Sequence, residues 1–168
     1  MKIIRIAGIL FCLTCLTGCF QAAPSELKNL SPVEIQVVQD GKPVENVLVA
    51  LYSEMPQGTV GCSALTNSHG TAILKTSVQS QSANGVSPGN YKVVLTKDVV
   101  LPAELSDFEA EQLLSESERS AMQKKRDDFL NKNRVVPKTL ETPGTTPIIL
   151  EVKPKEKNSL IVDVAKHQ

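Results

Sequence analysis

The chain has 168 residues, and its 18 basic and 18 acidic side chains give a formal net charge of zero. This length fits one domain of ordinary size, and the zero balance excludes the strongly basic class of nucleic-acid-binding proteins. A hydrophobic fraction of 41% can support a core, which excludes an acidic disordered chain. Because there are only 2 histidines, a histidine-built metal centre is also disfavoured. We therefore expect neither a cofactor nor a nucleic-acid partner.

The N-terminal segment has the pattern of an export signal. Lys2 and Arg5 precede a run of roughly ten apolar residues, which is typical of a secretory signal peptide. The run is too short to span a bilayer, which takes about 20 residues. We expect residues 1–18 to be removed as a signal peptide.

The apolar run closes on Leu16, Thr17, Gly18 and Cys19, a motif that resembles a bacterial lipobox. In that motif an aliphatic and two small residues precede a cysteine that receives a diacylglycerol before cleavage. The resemblance implies lipidation of Cys19, including palmitate, and two or three acyl chains anchor a protein stably in a membrane. Residues 19–30 would then form a lipidated tether.

Two other interpretations of this segment stay open: an ordinary signal peptide cleaved after Ala22 or Ala23, and an uncleaved anchor. Phe20, rather than an aspartate, follows the cysteine. By resemblance to lipoprotein sorting in diderm bacteria, this implies the outer membrane, on its periplasmic face or at the cell surface. Removal of residues 1–18 takes away two basic residues and no acidic one, which leaves a net charge of −2.

Cys62 is the one thiol expected to remain after cleavage and lipidation, so an internal disulfide is excluded for the mature chain. We interpret it as a small buried hydrophobe on a strand. A cysteine nucleophile would need a histidine beside it, and the chain offers His69, in a predicted turn, and His167, near the C-terminus. Both are expected to be solvated side chains.

The rest of the chain is predicted to form short strands separated by turns and loops. Alternating or β-branched apolar runs bounded by Gly, Pro, Asn and Asp predict seven strands. Turns are predicted at 40–43 and 67–70, and loops at 54–60 and 79–89. We expect residues 31–168 to form an all-β, seven-stranded antiparallel sandwich of the prealbumin-like or immunoglobulin-like type. The strands are predicted at 33–37, 44–52, 62–65, 71–76, 91–96, 148–152 and 159–164.

A helical insertion is predicted at 106–132, before the last two strands, because this stretch contains no Gly or Pro. Acidic residues crowd its start and basic residues its end, which matches the helix dipole. Ser106 and Glu109 fit a capping box, and Ser115 and Glu118 repeat it, so one helix or two is left open. The charged residues are expected to form a solvated face.

Three motifs resemble the carboxypeptidase regulatory-like, or transthyretin-like, domain family. They are the Gly-Lys-Pro-Val opening at 41–44, the Thr-Asn-Ser-His-Gly-Thr turn at 66–71, and the Pro-Gly-Asn-Tyr-Lys-Val strand start at 88–93. His69 departs from the acidic residue usual at its position, which counts against a cation-holding turn. The resemblance implies a prealbumin-like sandwich, and such sandwiches host many functions.

No catalytic pattern is found in the chain. The transthyretin-related hydrolase of urate breakdown, the catalytic relative that the fold suggests, ends in Tyr-Arg-Gly-Ser, whereas this chain ends in residues 164–168, Val-Ala-Lys-His-Gln. We expect a non-catalytic interaction or structural module with an unidentified envelope protein as partner. The insertion or a strand edge would supply its surface. Carbohydrate or small-ligand binding is the alternative, and hydrolysis is a remote one; the lack of tryptophan disfavours stacking on sugars.

The lipidation hypothesis predicts the outcome of one substitution. Cys19→Ala removes the sulfur that would carry the lipid, so the protein should leave the membrane fraction when cell extracts are sedimented and blotted. Cys15→Ala, within the signal peptide, is the matched control and should leave the protein in the membrane fraction. Retention of the Cys19→Ala protein in that fraction would contradict lipidation.

Overall fold

The computed structural model describes residues 27–54, 61–106 and 112–167. The predicted signal peptide, the lipobox and Cys19 lie outside the described residues. Most of the predicted loop at 54–60, and Glu109 of the first predicted capping box, also lie outside them. Residues 107–111 of the predicted insertion and residues 19–26 of the predicted tether also lie outside the described residues.

Ten β-strands, two α-helices and two 3₁₀ segments are assigned among the described residues. The 3₁₀ segments are Lys138–Leu140 and Val164–His167, and the α-helices are α1 (Ala103–Ser106) and α2 (Glu116–Asn133). The strands are β1 (Val33–Gln39), β2 (Lys42–Pro43), β3 (Leu48–Ser53), β4 (Gly61–Leu65), β5 (Thr71–Ile73), β6 (Lys75–Val78), β7 (Gln81–Asn84), β8 (Gly89–Thr96), β9 (Ile149–Val152) and β10 (Asn158–Asp163).

The strands are arranged in two sheets that enclose the core. The larger sheet has the order β7-β6-β4-β3-β8-β9, and each of its neighbouring pairs is antiparallel. In the smaller sheet, β1 pairs with β10 on one side and with both β2 and β5. Fully buried side chains from both sheets form one cluster, including Ile35, Val37, Val49, Leu74, Val93 and Leu95.

The predicted mainly-β sandwich, with a helical region before its last two strands, is confirmed. Two details of that prediction are wrong. The described residues contain ten strands rather than seven, and β1 runs parallel to β10, with Val33 opposite Asn158 and Val38 opposite Asp163. Alternation of apolar residues places a side chain on a face but carries no information on the direction of a distant partner strand, so the parallel pair had no local signal.

Local boundaries also differ from prediction. The strand expected at 71–76 is two strands in different sheets, because the chain crosses between the sheets at the buried Leu74. The loop expected at 79–89 contains β7, which pairs with β6. The strand expected at 44–52 begins at Leu48, after a turn in which Asn46 has φ 56°.

Thr66 and Gly70 join the turn at 67–70 to the opening of the sandwich. The Thr66 hydroxyl donates to the Val44 carbonyl (2.8 Å) and accepts from the Val47 N–H (2.9 Å). Gly70 has φ +71°, and its carbonyl accepts from the Val37 N–H at 2.8 Å. Two of the three motifs that carry the family resemblance therefore contact each other.

The insertion is not one continuous helix, since Gln112 is helical, residues 113–115 are not, and α2 starts after a cap at Ser115. The second predicted capping box is confirmed: the Ser115 side chain accepts from the Glu118 N–H, and the Glu118 carboxylate accepts from the Ser115 N–H at 2.9 Å. The Ser115 hydroxyl also donates to the Glu118 carboxylate at 2.6 Å, and this bond, followed by the one from the Ser115 N–H, lowers the pKa of Glu118. The first box, at Ser106, is not tested because Glu109 lies outside the described residues.

Gly70→Ala should destabilise the domain far more than Gly41→Ala. Both residues have positive φ, which costs an alanine about 1–2 kcal/mol. A Cβ at Gly70 would also lie 2.5 Å from the Val37 carbonyl oxygen, whereas a Cβ at Gly41 meets nothing within 4 Å. We expect Gly70→Ala to lose about 1–3 kcal/mol more than Gly41→Ala in urea unfolding, from overpacking against the backbone. Equal losses would contradict this close approach.

Candidate interaction surfaces

Cys62 lies on β4 with its side chain in the core. It is 5% exposed, and its sulfur is 3.4 Å from the Thr76 hydroxyl oxygen. That hydroxyl donates its proton to the Gly85 carbonyl (2.6 Å), so the thiol is the donor toward Thr76. Burial raises the pKa of Cys62 above its ordinary value of 9.0. The predicted role of a buried strand residue is confirmed, and the environment disfavours the reactive thiolate.

The two histidines occupy separate parts of the domain. His69 is exposed in the turn, where the Asn67 carboxamide oxygen accepts from the His69 N–H (2.9 Å) and the Thr71 N–H (3.1 Å). His167 lies in the last 3₁₀ segment and lines a cleft of ≈ 310 Å³ together with Asp163. Within residues 27–54, 61–106 and 112–167, no group of three or more His, Cys, Asp and Glu side chains could hold a metal ion.

Tyr91 ties the start of β8 to the preceding turn. Its side chain is 8% exposed, and its hydroxyl donates to the Ser87 carbonyl at 2.8 Å. Burial, and secondly the charge of Cys62 when ionised, raises the pKa of Tyr91. The hydroxyl of Tyr91 is therefore engaged in the fold.

The outer face of the larger sheet carries a group of apolar side chains that the sequence reasoning missed. Leu48 on β3 lies opposite Leu65 on β4, and Ala50 lies opposite Val94 on β8. Lys92 on β8 is paired with Tyr52 on β3 and with Ile149 on β9, so it lies between these two residues. We call this group the apolar face; its exposed members are Leu48, Tyr52, Leu65 and Ile149, whereas Ala50 is half-buried and Val94 is buried.

The apolar face presents large side chains to solvent. Leu65 is 62% exposed, Ile149 53%, and Leu48 and Tyr52 41% each. Next to Leu65, a cleft of ≈ 400 Å³ between β4 and β5 adds Ile73 to the exposed aliphatic surface. Clustered exposed apolar residues of this kind mark sites of protein or membrane contact, whereas single ones do not.

A sequence signal for the apolar face exists in β3. Residues 47–52 are apolar at every position, so both sides of the strand are apolar. A strand with one solvated face normally alternates, and continuous apolar runs are typical of sheets covered on both faces. Val47, Val49 and Leu51 point into the core, so the alternate residues of this run form an apolar outer side.

Helix α2 buries few of its side chains. Among the described residues of α2, Arg126 is the buried one; its Nε donates to the Leu105 carbonyl at 3.0 Å, which connects α2 to the α1 segment. Met122, Phe129 and Leu130 are half-buried, and most other side chains of α2 are exposed. The predicted solvated charged face is confirmed for this helix except at Arg126, which is buried.

Comparisons with known proteins do not identify a family for this chain. No protein-family model matches the chain, and no curated protein sequence matches it. A crystal structure of the major pilin subunit of Bacillus cereus aligns with 80% of this chain at 9% identity and a TM-score of 0.41. This chain spans 30% of that pilin chain. Among the described residues, no helix is both long enough and apolar enough to cross a membrane.

The pKa shifts of Cys62 and Tyr91 predict that the domain loses stability at alkaline pH. Both pKa values are raised in the folded state, so the folded protein holds these protons more tightly than the unfolded one does. The stability that this contributes is fully present below the unfolded thiol pKa near 9.0. It is lost as the pH rises toward the folded pKa values. We expect the midpoint of urea unfolding to fall above that pH.

Alkylation provides a direct check on Cys62. Iodoacetamide labelling of its peptide, followed by mass spectrometry at pH 8, should be roughly 100-fold or more slower in the native protein than in urea. Cys62→Ala should reduce the alkaline loss of stability. Native labelling as fast as that of the unfolded chain would contradict the burial of the thiol.

Proposed function

We propose that this protein is a lipid-anchored cell-envelope protein that acts as a non-catalytic protein-interaction module. Cys19 would carry the lipid anchor, and the protein would be located at the outer membrane. The apolar face would contact another envelope protein. The observation that carries the proposal is the solvent-exposed part of the apolar face, which consists of Leu48, Tyr52, Leu65 and Ile149.

The apolar face is costly to leave in water. Burial of apolar surface stabilises by roughly 25 cal/mol per Å², and Leu48 with Leu65 alone offers two large side chains in direct cross-strand contact. The unbroken apolar run at 47–52 has the composition of a strand covered on both faces. A partner protein would supply that second cover.

The surroundings of the apolar face favour a protein partner over a sugar. Tyr52 is its one aromatic residue, and the chain has no tryptophan, so a stacking platform for sugar rings is lacking. Lys92 and Glu54, whose charged atoms are 3.9 Å apart, lie beside Tyr52. Aliphatic and aromatic side chains with few charged groups among them are the usual composition of a protein interface.

Family membership is part of the same proposal. Two motifs that resemble the carboxypeptidase regulatory-like family contact each other through the Thr66 hydroxyl and the Val44 carbonyl, and the third contains Tyr91. These contacts support the proposal that the turns of this domain connect to its sheets as they do in that family. They concern the fold, because none of these side chains belongs to the apolar face.

The proposal is tested by changing the apolar face without touching the core. Leu48→Ser with Leu65→Ser should remove the partners that wild-type protein captures by crosslinking in intact cells and affinity purification. Ile161→Ser is the matched control, because Ile161 is 68% exposed on a strand of the other sheet. Urea unfolding of each variant establishes that the sandwich is intact.

The outcomes separate the surfaces. Loss of specific crosslinked proteins in the double variant, with retention in Ile161→Ser, supports the apolar face. Unchanged partners in the double variant, together with their loss on deletion of residues 106–132, would transfer the role to the helical insertion. A partner list that is unchanged in all variants would overturn the proposed interaction surface.

A further inference from the structure

A lysine-rich turn lies where the chain enters the sandwich from its N-terminal side. The turn at 153–157 connects β9 to β10 and has the sequence Lys-Pro-Lys-Glu-Lys. The Lys155 N–H donates to the Ser31 hydroxyl at 3.0 Å, and the Asn158 N–H donates to the Pro32 carbonyl at 2.9 Å. The turn is therefore bonded to the residues that directly precede β1.

Buried polar groups hold this turn in one shape. Asn158, 8% exposed, accepts from the Lys153 N–H (2.9 Å) and donates to the carbonyls of Lys153 (3.1 Å) and Glu156 (3.0 Å). Ser31, fully buried, also forms a two-way backbone bridge with Val86. Because these bonds fix the backbone, the exposed lysines project from a rigid platform.

Lys155 has a backbone conformation that its side chain does not favour. Its φ is 61°, and three of the other four non-glycine residues with positive φ are Asn or Asp. Those two residue types tolerate this region, whereas a lysine there is uncommon. The turn therefore carries a charged side chain where an asparagine would fit the backbone better.

The described charges at this end of the domain have a small positive balance, four lysines against three glutamates. Lys153, Lys155 and Lys157 are exposed in the turn, and Lys28 is exposed three residues before Ser31. The acidic groups nearby are Glu156 within the turn, Glu151 on β9, and Glu34, whose carboxylate is 2.8 Å from Lys157 Nζ. The balance of these seven groups is positive, whereas the proposed mature chain is negative.

We propose that the basic turn, residues 153–157, binds the anionic phospholipid headgroups of the membrane that holds the anchor. This proposal rests on the lipid anchor proposed above. Cys19 and Ser31 are 12 residues apart, a reach of at most about 43 Å when fully extended, so the anchor confines the turn near the bilayer. Tethering at this distance raises the effective concentration of a weak second contact.

The physical basis is the attraction between lysines and an anionic bilayer surface. Each lysine close to such a surface strengthens binding by roughly fivefold, and one lipid signal combined with a basic patch is a recognised route to stable attachment. Bound in this way, the domain would stand with the N-terminal end of β1 on the membrane. The far end of β1, with Lys42 paired to Gln39, would then face away.

The test uses the lipid-bearing full mature chain reconstituted into vesicles of phosphatidylcholine, with or without about one third phosphatidylglycerol. Exposed amines are acetylated and quantified residue by residue by mass spectrometry. We expect phosphatidylglycerol to slow labelling of Lys153 and Lys155 by roughly threefold or more, and about 1 M NaCl to abolish this protection. Lys42 and Lys166, near the other end of the smaller sheet, should label equally in both vesicles.

Matched variants distinguish the turn from general surface charge. Lys153→Gln with Lys155→Asn removes two charges and keeps a residue that tolerates positive φ. Lys28 should then lose its protection by phosphatidylglycerol. Lys42→Gln with Lys166→Gln removes the same charge at the opposite end and should preserve the protection of the turn.

The outcomes decide the proposal and separate it from the anchor. Equal labelling in both vesicle types, for protein that floats with both, overturns headgroup binding and leaves the anchor supported. Equivalent protection by inorganic phosphate without vesicles would also overturn it, in favour of a free-anion site. Flotation only with phosphatidylglycerol vesicles would contradict the anchor and support the turn, and flotation with neither would overturn both.

Discussion

The sandwich depends on β1, which is bonded to three other strands. Val33, Ile35 and Val37 are essentially inaccessible to solvent, while the backbone of the same strand pairs with β2, β5 and β10. Each of those side chains contributes about 1.5–3 kcal/mol on burial. The smaller sheet has no other strand that could replace β1, so strands from the beginning and end of the domain are held together by one seven-residue segment.

The sequence motifs at 66–71 and 88–93 hold turns of the chain against the strands of the sandwich. Gly70 approaches the backbone of β1, Thr66 fixes the segment before β3, and Tyr91 fixes the start of β8. Their hydrogen-bonding groups are engaged inside the domain. For this reason a resemblance based on these motifs carries information about architecture, and the surface that would select a partner must be sought among residues that the motifs do not include.

Much of this architecture is predictable because it follows from local chemistry. The Asp40–Gly41 hairpin turn, the Ser115 capping box and the burial of Cys62 each depend on side chains close in sequence or on simple alternation. The parallel pairing of β1 with β10 depends on a contact across most of the domain, which alternation cannot report. The division at Leu74 was equally hidden, because a strand that changes sheets keeps the same apolar pattern. The apolar face was missed for another reason: its signal was present in residues 47–52, but only the alternate positions that fit a core were interpreted.

The parallel β1–β10 pair has a mechanical consequence. If the protein is anchored through the residues before Ser31, tension between the membrane and a bound partner enters the domain at the start of β1. The two-way bridge between Ser31 and Val86 meets that load first. Beyond it, force directed along β1 acts in shear on a ladder that extends from Val33 to Val38, and the hydrogen bonds of that ladder share the load instead of breaking one after another. The domain is thus built to resist traction from its N-terminal side, a useful property for a module that would link a membrane to a larger object.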